Sequence, residues 1–173
     1  MRFRHAWDVA RRLVLPMAML EAGHGLARCL RDAGRLEEAR NLAQETFELE
    51  RRVRNTPRRW GNAPSILHTI ELSLGDPAAA LRALRRDAEA EVDPHYRLTI
   101  HQAIATWQAR FGSGRTGEVE AEIGAARVAA ALARCPRCSA ELSVVSAEIL
   151  ARIGRVDDAR RELAAWEIGR AHV

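Results

Sequence analysis

Two cysteines three residues apart, Cys135 and Cys138, are the residues with the clearest chemical potential in this sequence. Thiols at this spacing could form half of a zinc site or a thiol–disulfide pair. A zinc site needs further ligands, which only the fold could bring from Cys29 or from the histidines. A redox pair of the thioredoxin type needs alternating strands and helices, which the sequence does not show. We favour a structural role, in which Pro136 begins a helix and the thiols are half-buried, with a metal or redox site as the alternative.

The other residues that could act in catalysis have structural explanations. No two histidines stand four residues apart, as a helical zinc protease requires. The glycines at 23–25 neither follow an apolar strand nor precede Lys-Ser/Thr, as those of a phosphate loop do. The acidic pairs at 37–38 and 157–158 are placed to begin helices, where they complement the helix dipole. We therefore predict that the chain is not an enzyme and that it holds no metal or cofactor.

The composition favours a folded, helical protein. Of the 173 residues, 47% are hydrophobic, 29% are charged and only 5% are aromatic. These values argue against disorder and against an all-β domain. The longest apolar run, residues 13–20, is too short to cross a bilayer. Three cysteines are an odd number, which argues against a disulfide framework and favours the cytoplasm.

The basic residues are all arginines, 27 in number, and the net charge is only +4. A nucleic-acid-binding protein usually gathers its basic residues on one face. We interpret the densest group as a solvated helix end that runs into a loop, with nucleic-acid binding as the alternative. This group consists of Arg51, Arg52, Arg54, Arg58 and Arg59.

A short pattern recurs along the chain, in which a glycine is followed five residues later by an alanine. It reads GRLEEA at 34–39, GDPAAA at 75–80 and GRVDDA at 154–159. The spacing predicts a weaker copy between the last two, with Ala121 as its alanine. Glycine ends a helix in the left-handed conformation without steric cost, and alanine lets the next helix pack closely. Each copy therefore predicts a helical hairpin, whose second helix in GDPAAA begins with Asp76 as N-cap and Pro77 as first residue.

The periodicity of apolar residues is helical along the chain. We predict one all-α domain over residues 1–167, because each hairpin needs a neighbour to bury its apolar face. An amphipathic helix is expected at 4–14, a loop at 55–61 and a longer turn at 112–117. The four hairpins are predicted at 16–54, 62–91, 95–133 and 137–167.

GRLEEA, GDPAAA and GRVDDA resemble the turn and second-helix start of tetratricopeptide-type repeats. The period near 40 residues is similar to that of helical arrays in large bacterial ATP-dependent LuxR-type regulators and related signalling ATPases. The resemblance implies a tetratricopeptide-like α-solenoid of about four helical hairpins in a right-handed superhelix. It also implies a cytoplasmic protein-interaction or effector-sensing scaffold, which is a piece of a larger protein in transcription regulation or signalling.

The resemblance also implies where a partner would bind, because the first helices of such arrays line a concave groove. The expected partner is a protein, a peptide or a flanking domain of the parent chain, whereas nucleic acid is disfavoured and no membrane is expected. The small residue that these repeats place on the first helix corresponds to Ala27, Ala105 and Ala147. In the second copy it corresponds to His68, which implies looser packing. The implied groove residues are Glu21, His24, Arg28, Asn62, Thr69, Gln102, Thr106, Arg110, Glu141, Glu148 and Arg152.

The last six residues, 168–173, back-translate to ATC GGA AGA GCA CAC GTC, which looks like the start of a common sequencing adapter. We therefore expect 168–173 to be a non-native tail, and the rest to be a fragment of a longer protein whose true start need not be Met1. An array that stops here would leave Leu163 and Trp166 without a capping repeat. This predicts an exposed apolar face at that end.

Overall fold

The computed structural model describes residues 2–54, 63–111 and 115–170, and all the regular structure in these ranges is α-helical. The prediction of an all-α protein is confirmed. No described helix combines the length and the apolar character needed to span a bilayer. The predicted loop at 55–61 and residues 112–114 of the predicted turn lie outside the described residues. The helices are α1 (Arg2–Arg12), α2 (Pro16–Asp32), α3 (Leu36–Arg54), α4 (Ala63–Leu74), α5 (Pro77–Ala90), α6 (Pro94–Phe111), α7 (Thr116–Ala133), α8 (Pro136–Arg152) and α9 (Val156–Arg170).

The chain divides into two compact units, an N-terminal unit of residues 1–90 and a C-terminal unit of residues 91–173. We call α2, α4, α6 and α8 the first helices, and α3, α5, α7 and α9 the second helices. Within each unit every helix packs on the next one in the chain. The first helices also pack on each other, α2 on α4 and α6 on α8.

The turns between α2 and α3 and between α8 and α9 have the same structure. Gly34 and Gly154 follow the first helix in the left-handed conformation, with φ of 74° and 82°. In each turn the N–H of the next residue, an arginine, donates to the carbonyl five residues earlier, at 2.9 and 2.8 Å. The glycine N–H donates to the carbonyl three residues earlier. These two bonds form a Schellman motif, so the predicted left-handed glycine is confirmed in both turns.

The turn between α4 and α5 is built differently. Gly75 does not have a positive φ, so the prediction of a left-handed glycine is wrong at this position. The second helix begins instead with a side-chain cap, since Asp76 Oδ1 accepts the N–H of Ala79 at 3.0 Å. Pro77 is the first residue of α5. The predicted N-cap and helix start are therefore confirmed. In this turn a side-chain cap, and not a left-handed glycine, defines where the second helix begins.

The fourth residue of every second helix is buried, with at most 6% of its surface exposed. In α7 this residue is Val119, because the helix begins at Thr116. Ala121 is exposed, so the prediction that it is the buried residue of this copy is wrong. The corrected register gives a regular spacing of 41, 39 and 40 residues along the chain. The four buried residues are Ala39, Ala80, Val119 and Ala159.

The small residues expected on the first helices are also buried. Ala27 and Ala105 are fully buried, and Ala147 is 5% exposed. At the corresponding position of α4, the His68 ring is held by Asp87 of α5, with 2.6 Å between Nδ1 and Oδ2. At the end of α9, Leu163 is exposed as predicted, whereas Trp166 is half-buried.

A residue other than glycine occupies the left-handed position after α1. Val14 has a φ of 51°, and the two hydrogen bonds of the Schellman motif form around it. A left-handed conformation costs a residue with a Cβ about 1–2 kcal/mol. Since Val14 is 75% exposed, it gains little from packing in return.

We expect Val14→Gly to stabilise the protein by about 0.5–1 kcal/mol, because glycine removes this strain at some cost in unfolded-state entropy. The matched change Gly34→Ala introduces the same strain into an equivalent turn and should destabilise by about 1 kcal/mol. Urea unfolding followed by circular dichroism measures both values. Two changes of the same sign would contradict the assignment of these turns.

Glycine in the middle of α2 allows the neighbouring helices to approach closely. A Cβ built on Gly23 would lie 2.2 Å from Cγ2 of Thr46 and 2.8 Å from the ring of Trp7. Thr46 is fully buried, and its hydroxyl donates to carbonyls of its own helix, so it has no room to move. The segment at 23–25 therefore lies within a helix, and its glycines serve packing.

We expect Gly23→Ala to destabilise the protein by about 1–3 kcal/mol, because overpacking outweighs the gain in helix propensity. Gly124→Ala is the control, since Gly124 also lies within a helix, and a Cβ added there would meet no neighbouring atom within 4 Å. That change should stabilise by up to about 1 kcal/mol. Equal effects in thermal unfolding would show that Gly23 has no packing role.

Candidate functional site

The N-terminal unit holds part of the implied groove. Glu21 is exposed on α2, and Arg28 is half-buried two turns further along the same helix. Thr69, on the adjacent α4, is half-buried. His24 is only 8% exposed and lies inside the unit. Asn62 lies outside the described residues.

The C-terminal unit holds the remainder of the implied groove. Gln102, Thr106 and Arg110 follow one another at intervals of four along α6, so they share one face. The first two are half-buried and Arg110 is exposed. Because α6 packs on α8, this face lies on a helix adjacent to the one that carries the other three implied groove residues of the unit.

The second set lies on α8 and is charged. Glu141, Glu148 and Arg152 are all exposed, and their spacing of seven and four residues puts them on one face of the helix. Arg152 Nη2 lies 2.9 Å from Glu148, and Arg137 Nε lies 2.8 Å from Glu141. The face therefore carries both signs of charge in two exposed ion pairs, and each pair can exchange its partner for a ligand group at little cost.

A cleft of about 440 Å³ in the C-terminal unit was not predicted from the sequence. Its floor is formed by Ile123 and Leu150, and its rim carries three arginines and three acidic residues. Arg155 pairs with both Glu120 and Asp158, so one guanidinium links two helices and the turn before α9. The remaining pairs are Arg161–Asp158 and Arg127–Glu162. Because every charge is matched, the cleft has no net charge with which to attract an ion.

The structure brings His95 to the two cysteines. Cys135 is the N-cap of α8, and its Sγ accepts the N–H of Cys138 at 3.3 Å. A ring nitrogen of His95 and the two sulfur atoms all lie within 4.8 Å of one another. The predicted helix start at Pro136 and the half-buried thiols are confirmed. Cys29 is exposed on α2 in the other unit.

The sequence contains a signal for this cluster that the cysteines alone do not show. Asp93-Pro94 begins α6 in the same way that Cys135-Pro136 begins α8, and the two starts are 42 residues apart, about one repeat period. Because α6 packs on α8, the starts of these two helices lie side by side. A histidine in the first turn of one first helix is therefore placed next to a thiol in the first turn of the other.

Hydrogen bonds within the cluster shift the ionisation of its members. His95 Nδ1 lies 3.1 Å from Asp93 Oδ1, and this carboxylate, followed by Cys135, raises the pKa of His95. The pKa of Cys135 is lowered, first by the Cys138 thiol and then by the Cys138 N–H. The same bond raises the pKa of Cys138 to about 11, because its thiol proton is shared with the Cys135 sulfur. Cys135 is thus the more acidic thiol of the pair.

A compact turn orders the start of α6. Glu91 Oε1 accepts the N–H of Asp93 at 2.9 Å, and Arg97 Nε donates to the Glu91 carbonyl at 3.1 Å. Asp93 Oδ1 in turn accepts the N–H of His95 at 2.8 Å. The position of His95 therefore depends on backbone bonds to two acidic side chains. Glu91 is only 3% exposed, and its burial raises its pKa.

The sequence matches no protein-family model, and searches of curated proteins and of solved structures return no significant match.

We expect Glu91→Gln to increase the free energy of unfolding more at pH 7 than at pH 4. The folded state holds the Glu91 proton more tightly than the unfolded state does, so folding stability falls as pH rises above about 4.5. Glutamine keeps an acceptor for the Asp93 N–H but carries no charge, so the variant escapes this loss. Urea unfolding at both pH values measures the difference, with Glu89→Gln at an exposed site as the control. If Glu91→Gln changes the free energy of unfolding equally at the two pH values, the raised pKa of Glu91 does not explain its effect.

Proposed function

We propose that the chain is a protein-interaction or effector-sensing scaffold, built as a tetratricopeptide-like α-solenoid of about four helical hairpins in a right-handed superhelix. The observation that carries the proposal is the packing of α2 on α4 and of α6 on α8. In arrays of this type, neighbouring first helices form a continuous surface on which an extended partner can lie. The regular burial at positions 39, 80, 119 and 159 supports the same repeat.

The exposed residues of the first helices favour a peptide or domain of mixed charge as the partner. Glu21 on α2 and the Glu148–Arg152 pair on α8 offer both signs of charge. Gln102 and Thr106 on α6 add neutral hydrogen-bonding groups. Complementary charges of this kind set specificity and association rate more than affinity. A partner of this chemistry is expected to bind with a moderate dependence on salt.

The proposal makes the chain a piece of a larger bacterial transcriptional regulator or signalling ATPase in the cytoplasm, without catalysis of its own. A partner that bridges several repeats could alter the curvature of the array and so transmit a signal to flanking domains. A complete gene that encodes an upstream P-loop ATPase and a downstream helix-turn-helix would support this assignment.

Direct nucleic-acid binding through the arginines at 51–59 is the second candidate. Of the described members, Arg51 pairs with Glu48 at 3.5 Å and lies over the Phe47 ring, 6.0 Å from its centroid. These local contacts engage its charge within α3 and favour the solvated helix end over a phosphate-binding surface.

Peptides selected from a displayed library of mixed charge provide the test of the scaffold. We expect Arg28→Glu and Arg152→Glu each to weaken the selected peptides by about tenfold, which corresponds to about 1.4 kcal/mol. Arg160→Glu, at an exposed site on a second helix, is the matched control. The swapped pair Glu148→Arg with Arg152→Glu keeps the ion pair and should still reduce binding, because the order of the charges is reversed. Fluorescence anisotropy gives the Kd values.

A duplex DNA probe separates the two candidates. Binding through phosphate contacts falls steeply as salt rises, whereas peptide binding through the first helices should fall less. Arg58→Glu with Arg59→Glu should leave peptide binding unchanged. If this pair of changes alone abolishes binding, or if DNA binds more tightly than every selected peptide at physiological salt, the scaffold proposal is wrong.

A further inference from the structure

We propose that His95, Cys135 and Cys138 form a zinc-binding site that joins the beginnings of α6 and α8, with a fourth coordination position open to solvent. The proposal does not depend on partner binding. It rests on three ligand atoms from two helices that lie within 4.8 Å of one another.

The separation of the ligand atoms is close to that of a bound ion. In a tetrahedral site with Zn–S of about 2.3 Å and Zn–N of about 2.0 Å, the ligand atoms are about 3.5–3.8 Å apart. The ligand atoms would therefore approach one another by about 1.3 Å or less around zinc. His95 is exposed and both cysteines are half-buried, so rotation of their side chains can supply this movement without a change in the main chain.

The groups around the ligands are those that orient a metal site. Asp93 Oδ1 lies 3.1 Å from His95 Nδ1, and a histidine that donates Nδ1–H to this carboxylate presents Nε2 with a free lone pair. The Cys138 N–H donates to Cys135 Sγ at 3.3 Å, as backbone groups do to thiolate ligands. Asp93 directly precedes α6 and the Cys138 N–H lies in the first turn of α8, so both contacts exist before an ion binds and limit the movement that binding needs.

The ligand set selects the metal. Two thiolates and an imidazole suit Zn²⁺, whereas Mg²⁺ and Ca²⁺ prefer oxygen ligands. Binding replaces the two thiol protons, which are released to solvent, and two thiolates then neutralise the charge of the ion. Three protein ligands leave one position for water or for an incoming side chain, as in zinc sites that exchange a ligand.

An ion at this place would fasten two adjacent first helices at one end. Because α6 packs on α8, zinc would add a direct link between two helices that already share a core. Ligands present only in the folded arrangement make binding a stabilising interaction for the C-terminal unit. Zinc should therefore raise the unfolding temperature of the reduced chain.

The test titrates the reduced full chain with Zn²⁺ in competition with a chromophoric chelator, and repeats the titration with Co²⁺ as a spectroscopic probe. We expect one equivalent of either metal, thiolate-to-cobalt charge-transfer absorption in the near ultraviolet, and the visible bands of tetrahedral cobalt. Cys138→Ser and His95→Gln should each weaken binding by more than about 100-fold, since loss of a direct ligand exceeds the usual effect of an outer-shell change. Asp93→Asn should weaken it by about 10–100-fold.

Matched controls keep the test independent of folding. Cys29→Ser removes the cysteine outside the cluster and His5→Gln removes an exposed histidine, and neither should alter the zinc affinity. Circular dichroism of each variant confirms the helices, and Cys135→Ser retains an N-cap residue that suits the start of α8.

Three results would overturn the proposal. They are the absence of zinc binding by the reduced chain, a cobalt spectrum without thiolate charge transfer, and an equal loss of affinity in Cys29→Ser. A Cys135–Cys138 disulfide that forms in a chain unable to bind zinc would show that the pair serves redox chemistry instead.

Discussion

The close approach of consecutive helices depends on small side chains where the helices meet. In the N-terminal unit, Gly23 leaves no space for even one methyl group between α2 and its neighbours. Ala27 and Ala39 are fully buried on α2 and α3, which pack on each other. Protein interiors are close-packed, so an added methyl at such a contact displaces whole elements. The separation of these helices therefore depends on keeping the side chains at the contact small.

Polar pairs join a first and a second helix at two partly buried contacts. His68 of α4 pairs with Asp87 of α5, whose surface is only 4% exposed. In the C-terminal unit, His101 of α6 pairs with Glu122 of α7, with 2.7 Å between Nδ1 and Oε2. A buried carboxylate is tolerated only when it is hydrogen-bonded. These pairs therefore fix the partner and the register of their helices, which apolar contacts alone define less sharply.

The sequence predicts the helix starts, caps and turns best, because these depend on interactions between residues close in the chain. Pro77 and Pro136 mark helix starts, Asp76 is an N-cap, and Gly34 takes the left-handed position, all from preferences that act within one turn of chain. The register of α7 is harder to predict, because several glycines precede it and none of them alone marks where the helix begins. The repeat pattern therefore points to Ala121 as the buried residue, whereas the structure buries Val119. The approach of His95 to the cysteines depends on how α6 and α8 align. The local preferences of the residues in either helix do not predict this alignment.

The Schellman turns also bear on how the chain reaches its native structure. Each is closed by hydrogen bonds that span at most five residues. In the two turns that contain glycine, the arginine after the glycine also pairs with an acidic residue three positions later, Arg35 with Glu38 and Arg155 with Asp158. The ends of two helices are thus tied together before any distant contact is made. Since most of the packing joins helices that are neighbours in the chain, the loop-closure entropy is small. Folding from such local contacts is fast, and it can begin at either glycine turn without waiting for the other.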